Sequence, residues 1–186
     1  MNIEQIFERY GVLQHGHFKL TSGRHSDLYL QKQRVLEHPR VTGELGQALA
    51  EHFPEGADVV LAPAVGAIVL GAAVAAALDT RFVFAERVDG AMTLRRGQHI
   101  AEGERVIVVE DVITTGGSAA ECVRLAEAAG GKVLGVASLF DRSEGALPFP
   151  LVALMRVVAT SYASEDCPLC VQGLPLDAPG SRSLHG

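Results

Sequence analysis

The pattern of the chain predicts an α/β fold, a parallel sheet flanked by helices. Two observations carry this. Short runs at 58–62, 81–85, 105–110 and 133–140 are dominated by apolar, mostly β-branched or aromatic residues, and a strand that is apolar throughout has both faces covered. Helical stretches separate several of these runs, and that alternation builds a parallel sheet. The 186 residues, 48% hydrophobic and 20% charged, suffice for one core domain with trimmings, which folds without staples.

Residues 2–10 read as an opening helix, with Asn2 as its cap and Gln5 at capping-box spacing. A turn region at 11–16 follows. Two short strands, 17–20 and 28–33, flank the polar loop 21–27. Pro39 opens an amphipathic helix in which Val41, Leu45, Leu49 and Phe53 recur every four residues. Next come strand 58–62, helix 67–78, strand 81–85 and a long polar loop, 86–104. Strand 105–110 passes through a glycine turn into helix 118–129, which Gly130-Gly131 ends. Strand 133–140 and one further strand within 147–160 complete the core. From Ser164 onward, prolines and glycines predict an irregular tail.

The uncharged stretch 59–78 is long enough to span a bilayer. Pro63 and Gly66 divide it into a strand and an Ala-rich helix, so no membrane segment is expected. With 22 acidic and 16 basic residues, the formal charge is −6, which gives no bulk attraction to a nucleic-acid backbone. Three cysteines are too few for a disulfide scaffold, and the first residues lack a secretory pattern. The expected compartment is the cytoplasm.

Chemistry concentrates in Val106-Ile107-Val108-Val109-Glu110-Asp111-Val112-Ile113-Thr114-Thr115-Gly116-Gly117-Ser118. In an open parallel sheet, ligands bind beyond the carboxyl ends of the strands. The glycines let backbone N–H groups approach an anion, the hydroxyls add donors, and the following helix contributes its positive end. Two carboxylates beside such a cradle would repel the phosphate itself. They suit ribose hydroxyls or the water shell of Mg²⁺. Phosphate, sugar diol and magnesium shell within one turn describe a phosphorylated ribose. Neither a dinucleotide-binding glycine fingerprint nor a P-loop is present.

This run resembles the phosphoribosyl-pyrophosphate (PRPP) signature of the type I phosphoribosyltransferases. The segment Phe18-Lys19-Leu20-Thr21-Ser22-Gly23-Arg24-His25-Ser26-Asp27-Leu28-Tyr29 is similar to the hood of the orotate phosphoribosyltransferases within that family. The stretch from Glu86-Arg87 to Met92-Thr93-Leu94-Arg95-Arg96-Gly97 resembles its mobile catalytic loop, and Phe140-Asp141-Arg142 its post-strand arginine motif. The resemblance implies an N-terminal hood at 1–40, a PRPP-binding core at 41–160 and a C-terminal tail at 161–186. It also implies transfer of the phosphoribosyl group to orotate, with Mg²⁺ as cofactor, in a homodimer whose loops reach the neighbouring site. A phosphoribosyltransferase for another base, and a PRPP-binding regulator without turnover, are the alternatives.

Carried over by residue, the resemblance implies that Glu110 and Asp111 hold the ribose diol and the magnesium shell. Val112, Ile113, Thr114, Thr115, Gly116, Gly117 and Ser118 form the PRPP-binding turn, with Thr114 also near the base. Ala64, Val65, Gly66 and Ala67 would be the pyrophosphate loop, and Arg87 would bind PRPP phosphates. Arg95 and Arg96, with Asp111, would be the catalytic groups. Tyr29 and Leu30 would lie against the orotate ring and Arg142 against its polar edge, where a guanidinium fork suits an anion. Family members often carry lysines in the hood, pyrophosphate and catalytic loops. This chain has Thr21, Gly66 and the two arginines there, and its only lysines are Lys19, Lys32 and Lys132.

Cys167-Pro168-Leu169-Cys170 is a single CxxC, half of a zinc site with no second pair nearby. It reads as structural or incidental, with a metal site completed by a second subunit as the alternative. His15, His17 and His25 read as surface or loop histidines, and Cys122 as a small apolar residue inside a helix.

Overall fold

A computed structural model describes residues 2–20 and 22–179. Thr21 and the end of the tail, 180–186, lie outside the described residues. The elements run α1 (Ile3–Arg9), β1 (Leu13–Lys19), β2 (His25–Leu30), α2 (Gln33–Leu36), α3 (Pro39–Ala50), β3 (Val59–Pro63), α4 (Ile68–Ala77), β4 (Arg81–Val88) and β5 (Ala91–Leu94). Then follow β6 (Arg105–Ile113), α5 (Gly117–Ala128), β7 (Lys132–Asp141), β8 (Leu151–Arg156), β9 (Ser161–Tyr162), a 3₁₀ turn (Ser164–Asp166) and α6 (Pro168–Val171). They fall into two units. One comprises Met1–Ile3 with Val35–Val157, the other Glu4–Arg34 with Val158–Gly186.

The larger unit is the expected α/β core, a six-stranded sheet in the order β5-β4-β3-β6-β7-β8. All its pairings are parallel except β4 with β5. From the central pair β3 and β6, the chain winds outward through α4 to β4 and through α5 to β7. Right-handed crossovers in opposite directions put α4 and α5 on opposite faces. The strands are apolar because both faces are covered: all five residues of β3 are buried, as are Val106 to Val109 of β6. Val59, Leu61, Val83, Val106, Val108 and Val136 form the core under α5, packed with Ala119, Cys122 and Ala126. No helix among the described residues is long and apolar enough to cross a membrane.

Two expectations change here. The polar loop 86–104 is half hairpin. β4 runs on to Val88, turns at Asp89 (φ 48°) and Gly90 (φ 86°), and returns as β5, with Glu86 opposite Thr93 and Arg87 opposite Met92. Asp-Gly with both residues at positive φ is the tight hairpin turn whose twist matches that of its strands. Strand β6 continues past Glu110 to Ile113, so the two acids lie inside the ladder, Glu110 opposite Ser138.

The smaller unit is a three-stranded antiparallel sheet, β1-β2-β9. β1 begins at Leu13, inside the expected turn region, because Gln14 and His15 are strand residues opposite Tyr29 and Leu28. β2 starts at His25 and stops at Leu30, and the chain from Gln33 enters α2 where a strand was expected. Within its described residues, the tail holds short elements where its prolines predict irregularity. Ser161 pairs with Ser26 and Tyr162 with His25. Pro168 opens α6, a position where a missing N–H costs nothing. Asp177 bridges Phe18, its N–H bonding the His17 carbonyl at 2.8 Å.

Candidate active site

The carboxyl ends of β3, β4, β6 and β7 meet at one edge of the larger sheet. The centre of that edge, between β3 and β6, is where the strand order reverses, and there a crevice forms in open α/β sheets. Pro63 stands beside Ala85 in the register, and the Ala64 N–H bonds the Ala85 carbonyl at 2.7 Å. The loop from Ala64 to Ala67 leaves this edge with its first peptide cis, Val65 largely exposed and Ala67 buried. The Arg142 N–H bonds the Ile113 carbonyl at 2.7 Å, tying the residue after β7 to the end of β6.

At the end of β6, Asp111 is buried, with 4% of its surface exposed, and Glu110 is half-buried. The Asp111 N–H donates to the Glu110 carboxylate at 3.1 Å. Thr114 and Thr115 then leave the sheet, exposed, as do Gly117 and Ser118. Gly116 is the hinge of this turn. Its φ is 73°, and a Cβ there would sit 2.9 Å from Leu147 and 3.1 Å from Phe149, so only glycine fits without strain. The Gly117 N–H lies 3.4 Å from the Thr115 hydroxyl oxygen. The first turn of the twelve-residue α5 therefore offers backbone donors without i−4 partners beside the exposed hydroxyls of Thr114, Thr115 and Ser118.

Arginines surround this edge, each held differently. Arg87 on β4 forks onto Glu121 of α5, with contacts of 3.0 Å to each carboxylate oxygen. The hydrogen bonds between them hold the Glu121 carboxyl below its ordinary range and raise Arg87 further. Arg96 follows β5 in a turn closed by the Gln98 N–H on the Arg95 carbonyl. It pairs with Glu86 at 3.3 Å, whose other carboxylate oxygen is buried with no partner among the described residues. Arg95 is exposed. Burial lowers the pKa of Arg142, whose guanidinium enters none of the ion pairs found among the described residues. Cys122 lies wholly buried in α5, and burial, with Glu110 and Glu121 nearby, pushes its thiol up to about 12.

In the larger unit, then, the ends of four strands gather the acid pair, the glycine turn, loop 64–67, Arg87 and Arg142. Tyr29 and Leu30 belong to β2 of the smaller unit. Consecutive strand residues leave opposite faces: Leu30 is buried, while Tyr29 is half-buried with its ring 5.6 Å from that of Phe18.

Glu121 and Glu86, the carboxylates that hold Arg87 and Arg96, are not among the expected site residues. His17 and His25, expected as surface or loop residues, are instead buried. They are 4% and 5% exposed and stand together with Cys167 and Cys170. The backbone bulge between His15 and Phe18 re-aims His17, so that His17 and Phe18, though consecutive, are both buried. The CxxC and the recurrence of histidine across a hairpin are the signals that point there.

The Phosphoribosyl transferase domain model matches residues 32–149 of this chain. The orotate phosphoribosyltransferase of Pelotomaculum thermopropionicum is 49% identical over 185 residues, covering 98% of this chain and 97% of that protein. That of Chlorobium phaeobacteroides is 48% identical over 181 residues, covering 96% and 94%. Among solved structures, the orotate phosphoribosyltransferase of Aeropyrum pernix superposes with a TM-score of 0.70 at 24% identity, covering 83% of this chain and 93% of that one. The Mycobacterium tuberculosis enzyme in complex with inorganic phosphate gives 0.66 at 27% identity, covering 83% and 93%.

Proposed function

This chain belongs to the phosphoribosyl transferase family, and from that premise we propose how its residues divide the work. The protein transfers the 5-phosphoribosyl group of PRPP to orotate, giving orotidine 5′-monophosphate and pyrophosphate. The observation that carries the assignment of roles is the end of β6, where a buried Asp111 beside a half-buried Glu110 runs into a glycine turn and a helix start.

The 5′-phosphate would sit in the turn from Thr114 to Ser118, taking hydroxyl and backbone donors and the positive end of α5. Glu110 and Asp111 would accept from the ribose hydroxyls. Both offer only oxygen donors, the hard set that Mg²⁺ takes, so they fit its water shell as well. When bound, that ion would offset negative charge on the pyrophosphate. The loop from Ala64 to Ala67 and Arg87 would hold the pyrophosphate, and Arg142 the anionic edge of orotate.

In the reaction the bond from ribose C1 to the pyrophosphate oxygen breaks as the orotate ring nitrogen bonds to C1. The proton of that nitrogen passes to pyrophosphate or solvent. Charge builds on the leaving group, where the guanidinium groups of Arg95 and Arg96 would stabilise it. An arginine does not give up its proton, so these two act as fixed charges. The β4–β5 hairpin that carries them would also exclude water from the activated ribose. We assign the working enzyme to the cytoplasm as a homodimer with shared sites.

The test is to mix purified protein with orotate, PRPP and Mg²⁺ and to follow loss of orotate absorbance. Turnover with orotate is expected. Activity with adenine, guanine or uracil and none with orotate would overturn the assignment.

A further inference from the structure

We infer that the smaller unit binds one structural Zn²⁺ through His17 Nε2, His25 Nδ1, Cys167 Sγ and Cys170 Sγ. The four atoms lie within 4.8 Å of one another. His17 Nε2 is 3.0 Å from His25 Nδ1 and 3.6 Å from each sulfur, and Cys170 Sγ is 3.3 Å from His25 Nδ1. Tetrahedral zinc with ordinary bond lengths separates its ligands by roughly 3.3 Å between nitrogens and roughly 3.6 Å between nitrogen and sulfur. The four spacings given lie within about 0.3 Å of these values.

Hydrogen bonding by a neutral His17 ring does not satisfy all of these contacts. His17 Nδ1 faces the Leu174 carbonyl at 2.9 Å, and a carbonyl only accepts, so the ring proton is on Nδ1. Nε2 is left with a single lone pair. That lone pair faces three partners at once, the His25 nitrogen and two sulfurs. A cation at the centre satisfies all of them together. The Leu174 carbonyl then orients the ring and sets its tautomer, as the outer partners of metal-bound histidines do.

The donor set names the metal. Two sulfurs and two imidazole nitrogens in a tetrahedron suit zinc rather than Mg²⁺ or Ca²⁺. Four protein ligands leave no open position for substrate, so the ion is structural. It would join three stretches that are remote in sequence or held by few ladder bonds. His17 is on β1, His25 on β2, and the cysteines bracket the start of α6. Buried apolar residues of this unit are few, Phe7, Val12, Phe18, Leu28 and Leu30 among them, and small units of that kind draw on metals to hold together.

The full chain should be purified under reducing conditions from zinc-supplemented cells and its metal counted by mass spectrometry. One zinc per chain is expected. Chelation should lower the thermal midpoint by on the order of 10 °C. The pair Cys167→Ser with Cys170→Ser should lose the zinc, whereas Cys122→Ser, which removes a buried and unreactive thiol, should keep it. If the double variant fails to fold, cobalt loading of the wild-type chain decides. Tetrahedral ligand-field bands with thiolate charge transfer support the site. Their absence overturns it, as do a metal-free native chain carrying a Cys167–Cys170 disulfide or zinc retained by the folded double variant.

Discussion

At the scale of single residues, the proposed reaction rests on Asp111 and Gly116. Asp111→Asn keeps the shape of the side chain but removes the charge that would face the ribose diol and magnesium shell. Turnover with orotate should fall by about 100-fold or more in a steady-state assay. Unchanged turnover would mean that the ribose lies elsewhere. Gly116→Ala meets two obstacles together, a φ of 73° and the Leu147 and Phe149 side chains at 2.9 and 3.1 Å. It should cost about 1–3 kcal/mol in denaturant unfolding and raise the KM for PRPP, because the same turn forms the phosphate cradle. The run from Val106 to Ser118 was legible in the sequence because its chemistry is local. A buried strand, two acids and a glycine turn follow one another within a few residues, so pattern and function coincide. Glu121 was not legible as the partner of Arg87, since 34 residues separate them and only the packing of α5 beside β4 brings them together.

At the scale of elements, the end of the sheet opposite the site is pinned by charge. The Asp58 carboxylate, just before β3, accepts from the Arg105 N–H at 2.8 Å and from its guanidinium at 2.8 and 3.2 Å. These bonds lower the Asp58 pKa from 3.8 to about 2. A carboxyl depressed on folding contributes stability that is whole above pH 3.8 and lost as the pH falls toward about 2. The thermal midpoints of wild type and Asp58→Asn should therefore differ at neutral pH and converge through that acid window. A constant gap would show that the charge plays no part. Helices and parallel strands were readable from periodicity, whereas the β4–β5 hairpin was not. Its strands carry Glu86, Arg87, Thr93 and a bulky Met92 between half-exposed positions, so the alternation that marks a strand was blurred.

At the scale of the whole molecule, the homodimer proposed above predicts complementation. A chain with Arg95→Ala and Arg96→Ala and a chain with Asp111→Asn should each be nearly inactive alone. Unfolded together and refolded as a mixture, they should recover about a quarter of wild-type activity, since half the dimers are hybrids and each hybrid holds one intact site. Recovery of nothing would mean that each subunit completes its own site. The α/β core was legible because each strand and its helix are neighbours in sequence. The smaller unit was not. Its histidines and cysteines are 142 to 153 residues apart, and no window that slides along a chain can join them.

Because Glu4–Arg34 and Val158–Gly186 make up one unit, synthesis imposes an order of assembly. The chain between them can settle as soon as it clears the ribosome, but the β1–β2 hairpin must wait for Ser161 and Tyr162 before its third strand arrives. Premature termination after residue 157 would thus leave the core attached to a hairpin that lacks its third strand.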